Sequence, residues 1–169
     1  VREHGPGVAQ RLARLFDGPA PGEARLLAKI VDARGHGESE FDGPFKLDDL
    51  ARDAIELVRA IGMGPAIFAG CSMGGMVAQK VADLRPDLVG ALVLSATAHT
   101  FNHSGLQWQQ DFLRTRVAPL TQGKSISEYA PALLKTMMGP DAAGPEIDCA
   151  LYNISLMRSE AFQKAVAAI

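Results

Sequence analysis

This sequence offers little for a disulfide framework, a membrane span or a strong electrostatic field. Its 169 residues include two cysteines, Cys71 and Cys149, which suggest no disulfide framework. Neither a twenty-residue apolar run nor a secretory hydrophobic segment is present, so we expect a cytoplasmic protein. A formal net charge of −2 gives no footprint for phosphate backbones or anionic lipid. Nucleic acid and membrane partners are therefore not expected, and the ordinary globular composition predicts one core.

A serine flanked by glycines is the most informative feature that the sequence does contain. Positions 70–75 read Gly-Cys-Ser-Met-Gly-Gly. The apolar run that precedes the serine predicts a strand, whereas apolar residues from 73 to 84 recur at helical spacing. A nucleophile elbow needs this context, because a sharp turn projects the serine hydroxyl above the sheet, and we expect crowding that only glycine tolerates at Gly70 and Gly74. Ser72 is the candidate nucleophile; the alternative is a glycine-rich turn with a passive serine.

Strands and helices alternate through the first part of the sequence. Residues 26–31 and 89–95 read as further buried strands, and residues 47–61 form an amphipathic helix that ends at Gly62. This alternation predicts an α/β fold in which helices cover both faces of a parallel sheet. We expect residues 1–96 to form this core.

The second part of the sequence contains helical patterns and no further convincing strand. The helical stretches are predicted near residues 106–117, 127–138, 147–157 and 159–169. We expect residues 97–169 to form a helical lid over the core. Six apolar side chains could line a substrate pocket under this lid or simply pack its helices together: Trp108, Phe112, Met137, Met138, Tyr152 and Met157.

Two segments together resemble the α/β-hydrolase family. Residues 32–39 read Asp-Ala-Arg-Gly-His-Gly-Glu-Ser, which resembles that family's D-x-R-G-H-G-x-S loop, and residues 70–75 resemble its nucleophile elbow. Residues 71–79 and 92–98 are also similar to enol-lactone hydrolases and to many esterases. The resemblance implies a doubly wound parallel sheet with a helical lid. It also implies hydrolysis of esters, lactones, amides or certain carbon–carbon bonds by a Ser-His-acid triad. Of these we expect small-molecule esters or lactones as substrates, with no metal or organic cofactor.

The resemblance also implies roles for individual residues of the elbow. Ser72 would attack the carbonyl carbon and carry the acyl group, and the backbone N–H of Met73 would stabilise the oxyanion. Gly70 and Gly74 would shape the turn.

The first segment holds three charged or titratable side chains. In the family its histidine belongs to a structural loop, so we expect His36 to shape a turn with its glycine neighbours rather than to act as the triad base. Asp32 and Arg34 are expected to brace the same loop, satisfying local backbone groups and each other.

The catalytic partners of the serine are missing from their expected places. In the family the acid and the histidine follow the serine on loops after later strands. We therefore expect them beyond Ile169, in a longer protein of which this sequence is a fragment lacking the first and last strands. His99 and His103 follow the serine, and His99 reads as a solvated loop residue, with the triad base as the alternative. The resemblance puts Pro6, which has no N–H, where a second oxyanion donor commonly lies, so either Gly7 substitutes or the match at His4-Gly5 is coincidental. The alternative function is a non-catalytic binding module or pseudoenzyme.

Overall fold

A computed structural model describes residues 32–37, 39, 43–62, 64–100 and 105–169. In that part of the chain two strands and two helices alternate, and four helices follow. The first group comprises α1 (Leu47–Ile61), β1 (Ala66–Cys71), α2 (Met73–Leu84) and β2 (Val89–Ser95). The second group comprises α3 (Leu106–Thr121), α4 (Ile126–Lys135), α5 (Pro145–Ser155) and α6 (Ser159–Ala167).

The two strands form a parallel sheet whose register brings their carboxyl ends together. Phe68 pairs with Leu92, and Cys71 pairs with Ser95 at the end of the ladder. Helix α2 and a short 3-10 turn at Pro86–Leu88 connect the strands. The α/β class predicted from the sequence is thus confirmed, while the strand predicted at 26–31 lies outside the described residues.

Local sequence explains why α1 begins and ends where it does. The Asp49 carboxylate accepts a hydrogen bond from the backbone N–H of Lys46 at 2.8 Å, which satisfies an amide at the helix start. Asp48 and Asp49 also place negative charge at the positive end of the helix. Gly62 ends the helix in the left-handed conformation, with φ of 68°. The predicted helix boundary at Gly62 is confirmed.

Two clusters of buried apolar side chains hold the layers together. One joins Ala51 and Ile55 of α1 to Val81 of α2, the most buried large side chain of the described residues. The other joins Phe45 and Leu50 to Ala165 of α6. The last helix of the chain therefore packs against the strand-and-helix unit, because its small alanine face allows a close approach.

The sheet itself remains largely uncovered in the described part of the chain. Ile67 of β1 and Val93 of β2 are 54% and 53% exposed, and most of β2 is solvent-accessible. Parallel sheets are normally buried on both faces. The exposure agrees with the expectation of a partial doubly wound sheet.

The four helices after β2 occur where the sequence predicts helical stretches. Helix α4 starts at a capping box, in which Ser125 Oγ accepts from the N–H of Glu128 and the Glu128 carboxylate accepts from the N–H of Ser125. Ser159 Oγ, at the start of α6, accepts a hydrogen bond from Ile126 N–H at 3.0 Å. This bond ties the beginnings of α4 and α6 together. No helix within the described ranges has the length and apolar character needed to cross a bilayer.

Candidate active site

Ser72 occupies a strained turn between the end of β1 and the start of α2. Its backbone torsions are φ 50° and ψ −120°, a conformation that is unfavourable for a residue with a Cβ. The side chain is exposed, and the residue stands at the N-cap of the helix. The predicted strand, turn and helix arrangement is confirmed by these bounds. The hydroxyl is thereby presented at the edge where the carboxyl ends of β1 and β2 meet.

Close backbone approach explains why two positions of the turn are glycine. A Cβ on Gly70 would lie 2.3 Å from the carbonyl carbon and oxygen of Gly74 and 2.5 Å from the nitrogen of Gly75. A Cβ on Gly75 would lie 2.5 to 2.8 Å from the side-chain atoms of Thr97. Both distances are too short for any larger residue without movement of the neighbouring atoms.

The crowding expected at Gly74 is not found. Apart from its chain neighbours and the backbone of its own helix, no atom of the described residues lies within 4 Å of a Cβ placed on Gly74. The reason is directional: the Gly74 backbone faces Gly70 and causes the crowding there, whereas its own Cβ position points into open space. Gly75, which the sequence interpretation did not single out, is the second crowded glycine.

Both polar backbone groups of Ser72 are held by the chain around the end of β2. The Ser72 N–H donates to the carbonyl oxygen of Ser95 at 3.0 Å. The Ser72 carbonyl oxygen accepts from Thr97 Oγ1 at 2.7 Å and from the N–H of Gly75 at 2.9 Å. Sequence reasoning missed Ser95 and Thr97. Their position in the sequence could have identified them. Residues that follow one parallel strand lie beside the carboxyl end of the neighbouring strand, which here precedes Ser72.

The start of α2 gives the turn a positive electrostatic character. Met73 is the first residue of the helix, and the first N–H groups of a helix have no acceptor within it. The first turn contains no acidic side chain that would offset the helix dipole. A negative charge developing beside Ser72 would therefore meet the amide end of the helix.

The loop at residues 32–39 is braced mainly by short-range contacts. The Nδ1–H of His36 donates to the carbonyl oxygen of Arg34 at 3.0 Å, and Ser39 Oγ donates to the carbonyl oxygen of Asp32 at 2.7 Å. These contacts agree with the structural role expected for His36. Its ring is only partly buried.

The ion pair of Arg34 corrects one detail of the sequence interpretation. The guanidinium makes a two-pronged contact with Asp53 of α1, including an Nη2–Oδ1 bond of 2.8 Å, rather than a contact confined to its own loop. Hydrogen bonding to Asp53 raises the pKa of Arg34, which keeps the side chain charged. This ion pair thus connects the loop to helix α1. Asp53 is nineteen residues from Arg34, so the local sequence pattern did not predict the contact.

The apolar side chains of the helical part do not gather around Ser72. Trp108 and Phe112 stack along α3 with ring centroids 5.1 Å apart, and the Arg116 guanidinium lies over the Phe112 ring. Met137 and Tyr152 are exposed. Among the described residues, one cavity lies beside α1 and α2 and another between α3 and α6, and neither includes Ser72.

The remaining candidate residues divide between the described and undescribed parts of the chain. Pro6 and His103 lie outside the described residues. His99 is exposed, and within the described ranges no hydrogen bond joins its ring to Ser72. Over the same ranges, no group of three or more histidine, cysteine, aspartate or glutamate side chains is placed to hold a metal ion.

Comparison with known families identifies the fold. The family model described as alpha/beta hydrolase fold matches residues 23–130, which is more than half of the chain. The chain belongs to the α/β-hydrolase family. The matched residues include both strands of the parallel sheet and the turn at Ser72.

Relatives of this α/β-hydrolase chain include a lactonase, a lipase and a carboxylesterase. It is 29% identical over 106 residues to 3-oxoadipate enol-lactonase 2 of Acinetobacter baylyi, an alignment covering 60% of this chain and 39% of that protein. It is 42% identical over 60 residues to lipase LipV of Mycobacterium tuberculosis, covering 36% and 23%. A carboxylesterase structure from Nitrososphaera gargenis superposes with a TM-score of 0.64 at 22% identity, covering 81% of this chain and 51% of that one. The chain therefore spans about half or less of the length of these relatives.

Proposed function

We propose that this chain is the nucleophile-bearing part of a serine hydrolase that cleaves carboxylic esters or lactones through an acyl-enzyme on Ser72. The observation that carries the proposal is the backbone of Ser72, whose φ of 50° places an exposed hydroxyl between β1 and the amide end of α2. A passive serine in a glycine-rich turn gives no reason for this strain. A nucleophile does, because the turn lifts Oγ clear of the sheet.

The proposed reaction uses Ser72 and the start of α2 in two successive acyl transfers. Ser72 Oγ attacks the carbonyl carbon while a base takes its proton, and the Met73 N–H stabilises the oxyanion. The bond to the leaving oxygen then breaks, that oxygen receives the proton, and the acyl group stays on Oγ. Water attacks the acyl-enzyme in the second step, which releases the acid and restores the hydroxyl.

The proposed substrate class is supported by the relatives and by the chemistry of the helical part. The relatives' names refer to a lactonase, a lipase and carboxylesterases, all of which act on carbon–oxygen acyl bonds. Residues 97–169, proposed as the lid, offer exposed apolar side chains such as Trp108, Met137 and Tyr152. We expect small or medium uncharged acyl groups to be preferred over phosphorylated or peptide substrates.

The base and the acid are proposed to come from a longer protein. Two observations support this: the alignments cover only 39% of the lactonase and 51% of the carboxylesterase, and the apolar side chains of β2 lack the cover that a parallel sheet requires. The rival function is a non-catalytic binding module or pseudoenzyme. It is favoured by the fact that no side chain of the described residues hydrogen-bonds to Ser72 Oγ.

Labelling with a fluorophosphonate tests the assignment of Ser72. The experiment compares the 169-residue chain with the protein encoded by the whole reading frame that contains it. We expect the whole protein to label rapidly and its Ser72→Ala variant not at all, whereas Ser95→Ala, which alters a serine outside the proposed chemistry, should still label. The 169-residue chain should label slowly, because loss of triad members leaves only about 10³–10⁴-fold acceleration over water.

Three results would contradict parts of the proposal. Absence of labelling and of esterase activity in the whole protein would favour the binding module. Rapid labelling of the 169-residue chain, abolished by His99→Ala, would show that His99 is the base and that its assignment to a solvated loop is wrong. The substrate class is determined by assays of the whole protein with p-nitrophenyl butyrate, γ-butyrolactone, a peptide and a phosphomonoester. Peptidase activity alone would overturn the proposed substrate class.

A further inference from the structure

The loop that follows β2 contacts the proposed nucleophile through a single threonine. Thr97 Oγ1 donates to the carbonyl oxygen of Ser72 at 2.7 Å, although the two residues are 25 positions apart. The same side chain fills the space where a Cβ on Gly75 would lie, since the Cβ, Cγ2 and Oγ1 atoms of Thr97 are all within 2.8 Å of that position. Thr97 thus touches both sides of the turn, through its hydroxyl and through its methyl group.

Distance decides which of two neighbouring carbonyl oxygens receives the hydroxyl proton of Thr97. Thr97 Oγ1 lies 2.7 Å from the Ser72 oxygen and 3.4 Å from the Ala98 oxygen, and a hydroxyl has one proton to donate. The shorter bond to Ser72 is therefore the one that the hydroxyl makes.

Two strained residues stand on either side of this contact. Ser72 and Ala96 are the non-glycine residues of the described ranges that have positive φ, at 50° and 46°. Such conformations persist only where surrounding contacts hold them. The Ser72 N–H is fixed by Ser95, immediately before Ala96, and the Ser72 carbonyl by Thr97, immediately after it.

We propose that Thr97 is a positioning residue, which holds the Ser72 backbone in the conformation that presents Oγ to substrate. This inference rests on the proposed function of Ser72. Thr97 acts through the carbonyl group and makes no contact with the reacting atoms in the mechanism above. Loss of its hydroxyl should therefore lower kcat and leave KM unchanged. The expected decrease in kcat is about tenfold, which corresponds to the free energy of one hydrogen bond.

A spectroscopic measurement can observe the Ser72 carbonyl directly. The dipeptide Ser-Met occurs once in the 169 residues, at Ser72-Met73. A chain labelled with carbonyl-¹³C serine and ¹⁵N methionine therefore gives a single peak in a carbonyl-to-amide correlation experiment. We expect Thr97→Val, which keeps the shape and removes the donor, to shift this peak, and Thr97→Ser, which keeps the donor, to leave it near its wild-type position.

Matched variants separate positioning from general damage. Thr115→Val removes an exposed hydroxyl that bonds only within its own helix, to Asp111 O at 2.8 Å and Phe112 O at 3.1 Å, so the peak and kcat should not change. Gly75→Ala retains Thr97 with its hydroxyl group, but the new Cβ displaces the Thr97 side chain. This variant should therefore shift the peak as Thr97→Val does.

Each outcome of this test decides the proposal. An unmoved peak in Thr97→Val, or equal loss of kcat in Thr97→Val and Thr97→Ser, would overturn it. If Thr97→Val does not fold, a wild-type peak and wild-type kcat in Thr97→Ser support the proposal, and a displaced peak there overturns it. The remaining outcome is a peak shift in Thr97→Val when the wild-type whole protein does not label. In that case the hydrogen bond orders the turn, but the proposed hydrolase function is wrong. The proposed catalytic role of the hydrogen bond is then wrong as well.

Discussion

The strand-and-helix unit at residues 43–100 and the helical part at residues 105–169 obtain their local conformations in different ways. In the first, the turn at Ser72 is fixed by Ser95 and Thr97, more than twenty residues further along the chain. In the second, α4 begins at a capping box formed within four residues, Ser125 to Glu128. The difference shows what the parallel sheet contributes to the turn at Ser72. A strained backbone conformation persists only where surrounding contacts hold it, and here the sheet brings distant chain segments to the turn.

The two parts also differ in how their polar groups are used. Carboxylates of the helical part mainly support their own helices, as Glu128 does with Ser125 and as Glu160 does with Lys164. The strand-and-helix unit has local pairs as well, such as Arg59 with Glu56, but two of its carboxylates also reach other segments, Asp53 to Arg34 and Asp48 to Lys80. Local ion pairs at exposed sites contribute little to stability. The first part therefore depends more on tertiary contacts, and the predictions below test that dependence.

The largest effect should come from Gly70→Ala. Its Cβ would overlap the backbone of Gly74 and Gly75, which cannot rotate away as a side chain can. We expect a loss of about 4 kcal/mol or failure to fold, above the usual overpacking cost of about 1–3 kcal/mol. Gly74→Ala is the control, because its Cβ meets open space in the described structure. Urea unfolding of both variants measures the contrast, and equal stabilities would refute the close approach at Gly70.

A smaller effect is expected where the two parts meet. Leu50 is 5% exposed and packs with Phe45 and Ala165, so Leu50→Ala should destabilise both parts together. We expect about 2–3 kcal/mol, towards the lower end for Leu→Ala, because partly buried neighbours can close the cavity. Leu106→Ala, at a site that is 70% exposed, should change the free energy of unfolding by less than about 0.5 kcal/mol. Separate unfolding transitions for the two parts would show that this cluster does not couple them.

The smallest effect concerns the local cap of α4. Hydrogen bonds from Ser125 lower the pKa of Glu128 below its ordinary value. A carboxylate with a lowered folded pKa stabilises the fold above its unfolded pKa, near 4.3 for glutamate, and loses this contribution as the pH falls through the folded pKa. Glu128→Gln should therefore lower Tm at pH 6, and its difference from wild type should shrink as the pH falls through the folded pKa of Glu128. Asp141→Asn, in the turn between α4 and α5, is the control and should show no such convergence. A Tm difference that is independent of pH would rule out the charge of Glu128 as the cause.

Hydrophobic periodicity and the positions of glycine and proline were sufficient to predict the helices and strands. The bounds of α2 and β2 and the end of α1 at Gly62 agree with the structure, because amphipathic spacing and a left-handed glycine are properties of neighbouring residues. The same reasoning found Ser72, since a glycine-rich turn between a strand and a helix is also a local pattern. Its catalytic role stays a prediction.

Contacts between distant segments could not be predicted in this way. The sequence suggested crowding at Gly74, whereas the structure puts it at Gly70 and Gly75, because the direction of each missing Cβ depends on how the helix crosses the strand. Arg34 pairs with Asp53 for a similar reason.

The sequence by itself determined which residues form the turn, namely a serine between glycines with a strand before it and a helix after it. Only the tertiary structure decided how that turn is held, because the parallel pairing of β1 with β2 places Ser95 and Thr97 beside the Ser72 backbone. Periodicity describes each strand separately and carries no information about which residue of one will lie opposite which residue of the other. That register, rather than any local pattern, fixes the conformation of Ser72.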